Sequence, residues 1–198
     1  HTRDARLYDG QHPVVAHPPC ERWGRYATGG PNPKAVRRRV GDDGGCFAAA
    51  LESVRRCGGV LEHPEASHAW AAHGLTAPPR RGGWIRDGSG WSCCVEQGHY
   101  GHRARKATWL HTVVGDPPTL LWGPAPTGLR MDLGFHSREE RNARSGRPRA
   151  GVGQCERMGK RERTATPIPF RDLLLSIARS VQDKSLSISP QDRCDNGV

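Results

Sequence analysis

Val14-Val15-Ala16-His17-Pro18-Pro19-Cys20 starts as a short apolar run and passes through a double proline to a thiol. A parallel strand covered on both faces reads as a β-branched run, and functional groups of such sheets lie just past its carboxyl end. The prolines fix φ and stiffen the loop, so Cys20 is expected at a set point on the sheet rim. Val60-Leu61-Glu62-His63-Pro64 repeats the design with a carboxylate at the strand end. Between the two, Asp42 and Asp43 offer N-caps to a helix beginning at Cys46 and closing at Gly58-Gly59. Strand, loop, helix, strand in that order is a parallel crossover unit, which makes the fold class α/β.

Outward from this unit, the segment 22–41 is glycine-rich and basic, carries Trp23 and Tyr26, and reads as a mobile loop. A short helix is expected around 66–73, then strands over 91–97 and 108–114, and an edge strand at 119–122. Residues 130–165 hold ten Lys/Arg against five Asp/Glu with almost no apolar period, the pattern of a solvated arm. Phe170, Leu173, Leu174, Ile177 and Val181 share one face of a last helix. The expected organisation is an α/β core over 1–122, a basic linker or arm over 123–165, a helix over 166–182 packing on the core, and a disordered tail over 183–198.

With 198 residues the chain has room for one α/β domain, and its 25 glycines, 16 prolines and 35% hydrophobic residues imply much loop. A net charge of +10 points to a polyanionic partner, nucleic acid first. No apolar run is long enough to span a membrane, and seven irregularly spaced cysteines suit free thiols in a cytoplasmic setting.

Taken together, strand-Pro-Pro-Cys20, strand-Leu61-Glu62 and Tyr100-Gly101-His102-Arg103-Ala104-Arg105-Lys106-Ala107-Thr108 resemble the cytosine-C5 DNA methyltransferase family. The separations, 42 residues from Cys20 to Glu62 and 38 from Glu62 to Tyr100, are similar to the family's, and the resemblance spans about residues 13–182. It implies a small Rossmann-like methyltransferase domain acting on DNA, with S-adenosylmethionine as cofactor. In that scheme Cys20 is the nucleophile that adds to cytosine C6, and Glu62 holds the base. Arg103, Arg105 and Lys106 contact phosphate or orient the loop, while Arg22, Trp23, Arg25 and Tyr26 grip the DNA around a flipped base. The family's Gln after the cysteine is Glu21 here, its Glu-Asn-Val is Glu62-His63-Pro64, and Ala104, Lys106 and Thr108 stand where Gln, Arg and Arg are expected. Its glycine-rich cofactor turn is not among the nineteen residues before Cys20, which leaves open a truncated gene product, a reduced phage-type relative, or half of a split enzyme whose cofactor-binding half a second chain supplies.

Three other readings compete. One is a non-catalytic DNA-binding protein or split-enzyme subunit on a degenerate methyltransferase fold. Another treats His17-Pro18-Pro19-Cys20 as the catalytic loop of an amino-methyltransferase acting on cytosine N4 or adenine N6. The third is a zinc site from Cys93, Cys94, His99 and His102, opposed by the vicinal cysteines, which point to opposite faces of a strand, so that no metal is expected. His17 and His63 flank the rim and are read as orienting neighbours or making structural hydrogen bonds.

Overall fold

The computed structural model describes residues 4–24, 27, 39–127, 158 and 160–186. Within them the chain forms strands β1 (Val14–Ala16), β2 (Gly59–Pro64), β3 (Ile85–Asp87), β4 (Gly90–Glu96) and β5 (Ala107–Val113). The helices are α1 (Cys46–Cys57), α2 (His68–Ala72), α3 (Lys160–Thr164) and α4 (Ile168–Leu186). The strands make one five-stranded sheet in the order β1-β2-β5-β4-β3. β1 and β2 run parallel, as the crossover unit predicts, while β2–β5, β5–β4 and β4–β3 are antiparallel. The architecture is therefore mixed α/β with a mixed sheet.

α1 starts where Asp43 accepts from the amides of Gly45 and Phe47, both at 2.9 Å, quenching two of the helix's orphan donors. Its apolar positions Phe47, Ala50, Leu51 and Val54 recur at helical spacing and bury against Ala16, Leu61, Trp70 and Trp109. The chain then turns directly into β2 through Gly58 and Gly59, at φ +74° and +119°. A Cβ on Gly59 would lie 2.1 Å from the Val14 carbonyl oxygen, so only glycine lets β2 come this close to β1. On the opposite face Val60, Cys93, Val95 and Leu110 pack under Phe170, Leu174 and Ile177 of α4. Each such buried side chain contributes about 1.5–3 kcal/mol. With a helix on both faces, Val60 and Leu61 are both fully buried although they point in opposite directions.

Several expectations need correction. Residues 119–122 form no strand, although Leu120 is buried. The short strand β3 was not anticipated. The arm expected over 123–165 ends in helix α3, and α4 continues through Leu186, four residues into the expected tail. Most of the arm, the remaining tail, Cys155 and Cys194 lie outside the described residues. Among the described residues, no helix is long and apolar enough to cross a membrane.

Candidate active site

Because β1 and β2 are parallel and in register from Val14–Gly59 to Ala16–Leu61, their next residues, His17 and Glu62, emerge side by side. His17 Nδ1 lies 2.8 Å from Glu62 Oε2, and Gln97 Nε2 donates to Glu62 Oε1 at 3.3 Å. Gln97, fully buried at the end of β4, also donates to Thr108 Oγ1 on β5 at 2.9 Å. The carboxylate thus has a partner on each oxygen, one just past the end of β1 and one just past the end of β4, on the far side of β5. Gln97 and Thr108 had no place in the expected site; their meeting depends on the antiparallel β4–β5 register, which sequence spacing does not reveal.

The Pro18-Pro19 turn delivers Cys20 to this rim with its residue exposed. The Cys20 carbonyl accepts from the amides of Trp23 at 3.1 Å and Gly24 at 3.0 Å, closing a tight turn. Trp23 locks that turn down. Its indole N–H donates to Asp43 at 2.8 Å, its carbonyl accepts from the His68 amide at 2.9 Å, and its ring packs on Phe47 and His73. At 6% exposure Trp23 is a core residue, which corrects its expected place in a mobile DNA-gripping loop.

Three charges act on the Cys20 thiol. Its pKa is raised, mainly by burial and further by Glu62 and Glu21, while Lys106 acts in the opposite sense. Lys106 is itself pushed down by burial and held up by Glu62 and Cys20. That ammonium also donates to the Ala165 carbonyl at 2.9 Å, and Arg103 pairs with Glu162 at 2.7 Å. Helix α3, with Arg161 and Arg163, is thereby moored beside the rim.

The other expected residues scatter. Arg22 is half-buried and its carbonyl accepts from the Gly41 amide, while Arg105 donates to the Ala125 carbonyl at 3.3 Å. Arg25 and Tyr26 lie outside the described residues. His63, next to Glu62, points to the other face, fully buried against Phe47 and Trp70, and burial lowers its pKa to about 4. Cys93 packs with the α4 face and Cys94 with the α1 face. His99 turns to the Gly123 carbonyl and His102 to the Ala104 backbone. Among the described residues no group of three or more His, Cys, Asp or Glu is placed to hold a metal ion.

The glycine-rich turn before α1 is the natural place to test for an S-adenosylmethionine cradle, because a carboxylate there would use free amides at a helix start. Four amides of the turn already have acceptors, and the Asp43 carboxylate holds two of them, standing where the cofactor's carboxylate would. Gly45 and Phe47 donate to Asp43, Asp43 to the Gly41 carbonyl, and Gly41 to the Arg22 carbonyl. This turn does not fit the cofactor's carboxylate. Compared with protein-family models, curated proteins and solved structures, the chain matches none.

Proposed function

We propose that this chain is a DNA-directed protein of cytosine-C5 methyltransferase type, on a reduced Rossmann-like domain, with Cys20 as the nucleophile. The observation that carries this reading is that two parallel strands in register deliver Glu62 and the His17-Pro18-Pro19-Cys20 turn to one carboxyl rim, with His17 on Glu62 at 2.8 Å. A thiolate adding to cytosine C6 forms the S–C6 bond and moves the C5=C6 electron pair toward C5 and the ring N3. Glu62, held at both oxygens, is placed to stabilise the charge that develops at N3 and the exocyclic amine. Lys106 offsets the negative charge that Glu62 and Glu21 place around the thiol. A base inside a duplex is out of reach of these groups, so the substrate is a flipped or single-stranded cytosine. The basic residues of α3 and of the segment around Arg103 give the strand backbone a cationic neighbour.

Because the turn before α1 does not fit S-adenosylmethionine, no step here is routed through the donor. Its pocket must come from other residues, either of this chain or of a second chain. That misfit favours one further reading, a DNA-binding protein or split-enzyme subunit whose methyl-transfer half lies elsewhere. Addition at C6 can be tested without a donor. In DNA containing 5-azacytosine, thiolate addition at C6 sends the electron pair to N5, which takes a proton, so the adduct persists. A random-sequence pool of such duplexes should trap the wild-type chain in a denaturant-resistant adduct and leave Cys20→Ser untrapped. Equal trapping of both would remove Cys20 from the mechanism, and no trapping by folded, DNA-bound wild type would leave the binding-subunit reading.

A further inference from the structure

The environment of Glu62 is divided between a secluded carboxyl and an accessible ring. The Glu62 side chain is 13% exposed and that of His17 is 41% exposed, with 2.8 Å between Nδ1 and Oε2. The other oxygen faces the Gln97 amide, which cannot donate or take up a proton at ordinary pH. Of the two hydrogen-bond partners described for Glu62, only His17 has an ionisable side chain.

We propose that His17 is the proton conduit between solvent and the Glu62 carboxyl. The proposal rests on the reading of Glu62 as the group that holds the pyrimidine. In the resting pair the neutral ring donates Nδ1–H to the carboxylate and presents Nε2 to water. Water protonates Nε2, the Nδ1 proton passes to Oε2, and the ring is left neutral with its hydrogen on Nε2. The Cys20 thiol gives its proton to water, and Glu62, now an acid, donates to ring N3 as the thiolate adds at C6. When the thiolate leaves C6, N3 returns its proton to Glu62, the relay runs in reverse and water reprotonates the thiol, so none is gained or lost over the cycle. His17 is a positioning residue in this scheme, acting through Glu62. The other titratable groups bearing on Cys20 and Glu62 are Glu21 in the same loop, Lys106 ahead of β5, and His63 on the opposite face.

His17→Asn separates a conduit from a mere hydrogen bond, because its amide can still donate to Glu62 but carries no proton. It replaces an exposed side chain, so the fold should survive. Carbon NMR of the full chain, with the Glu62 carboxyl signal assigned by its loss in Glu62→Gln, gives the first readout. In wild type that signal should stay a single fast-exchanging line as it moves with pH, because the ring relays the proton. In His17→Asn exchange with solvent should slow and the moving signal should broaden. A signal equally sharp in both proteins through its transition would overturn the proposal. The second readout is exchange of the cytosine C5 hydrogen with solvent on a random-sequence DNA pool, which reversible thiol addition produces without a donor. His17→Asn should exchange the C5 hydrogen at least about tenfold more slowly than wild type. The same C5 exchange rate in both proteins would defeat the conduit and leave the cytosine reading standing. A carboxyl line that broadens in His17→Asn, without C5 exchange in either protein, would defeat the cytosine reading and leave the conduit standing.

Discussion

Lowering the pH from 7 to 5 should weaken this fold through two histidines buried as neutral rings. His63 is fully buried among Phe47 and Trp70. His111, 1% exposed, sits in a buried trio with Ser92 and Asp87. There the Ser92 hydroxyl donates to Asp87 at 2.6 Å, so the bond between Ser92 and His111 must run from the ring Nδ1–H. The His111 Nε2 is left buried without a partner. Burial lowers both rings from 6.5 to about 4. A base with a depressed folded pKa is protonated first in the unfolded chain. Between about pH 6.5 and 4 the unfolded state therefore binds more protons, and stability falls as the pH falls, by at most about 1.4 kcal/mol per pH unit for each ring. From pH 7 to pH 5 the loss is about 2 kcal/mol per ring and about 4 kcal/mol for both. Set against a usual total of about 5–15 kcal/mol, that is a large share. Asp43, whose pKa is lowered by its hydrogen bonds to Trp23, Phe47 and Gly45 against the opposing effect of burial, loses its contribution only at still lower pH. Urea unfolding at pH 7, 6 and 5 and constant ionic strength would measure the slope. His63→Leu should halve the pH 7-to-5 difference to about 2 kcal/mol. A wild-type difference below about 1 kcal/mol, or an undiminished slope in His63→Leu, would refute the reasoning.

Three further outcomes are expected. Trp23→Ala should cost about 3–5 kcal/mol in urea unfolding, because it removes a core ring and the Asp43 partner together. Trp23→Phe keeps most of the packing and should cost less. Gly59→Ala should leave little folded protein on thermal unfolding, because its Cβ meets Val14 backbone atoms and its φ is +119°. Lys106→Met should slow alkylation of Cys20 by iodoacetamide at pH 8 several-fold, since it removes the cation that favours the thiolate.

The parallel pair and its crossover helix were legible because every local signal agreed: the apolar runs, the aspartates before α1, the paired glycines after it. The candidate nucleophile and carboxylate were legible as strand-end residues. Their companions were not. Gln97 reaches Glu62 only because β4 and β5 pair with Glu96 opposite Ala107. That register is a tertiary fact. Trp23 looked like an aromatic in a basic, glycine-rich loop, yet Asp43, twenty residues on, draws its indole into the core. β3 is only three residues long and its signal was the turn after it, Asp87-Gly88-Ser89-Gly90, where Gly88 takes φ +59°. Asp87 then earns its burial by accepting from the Thr76 amide and from Ser92, two contacts that no periodicity announces.

The thiol and the carboxyl are coupled through charge, and that coupling yields a last prediction. Cys20 is held above the ordinary thiol range first by burial and then by the negative charges of Glu62 and Glu21. Burial cannot change without moving the loop, but the charge on Glu62 changes with one proton. In the proposed scheme a protonated Glu62 both donates to a pyrimidine ring and stops opposing the thiolate. The rate of Cys20 alkylation in Glu62→Gln, divided by that in wild type, should therefore exceed one at pH 8, because the substitution removes a charge that opposes the thiolate. A ratio of one would mean that the charge of Glu62 does not reach Cys20, and the two halves of the proposed chemistry would have to be activated separately.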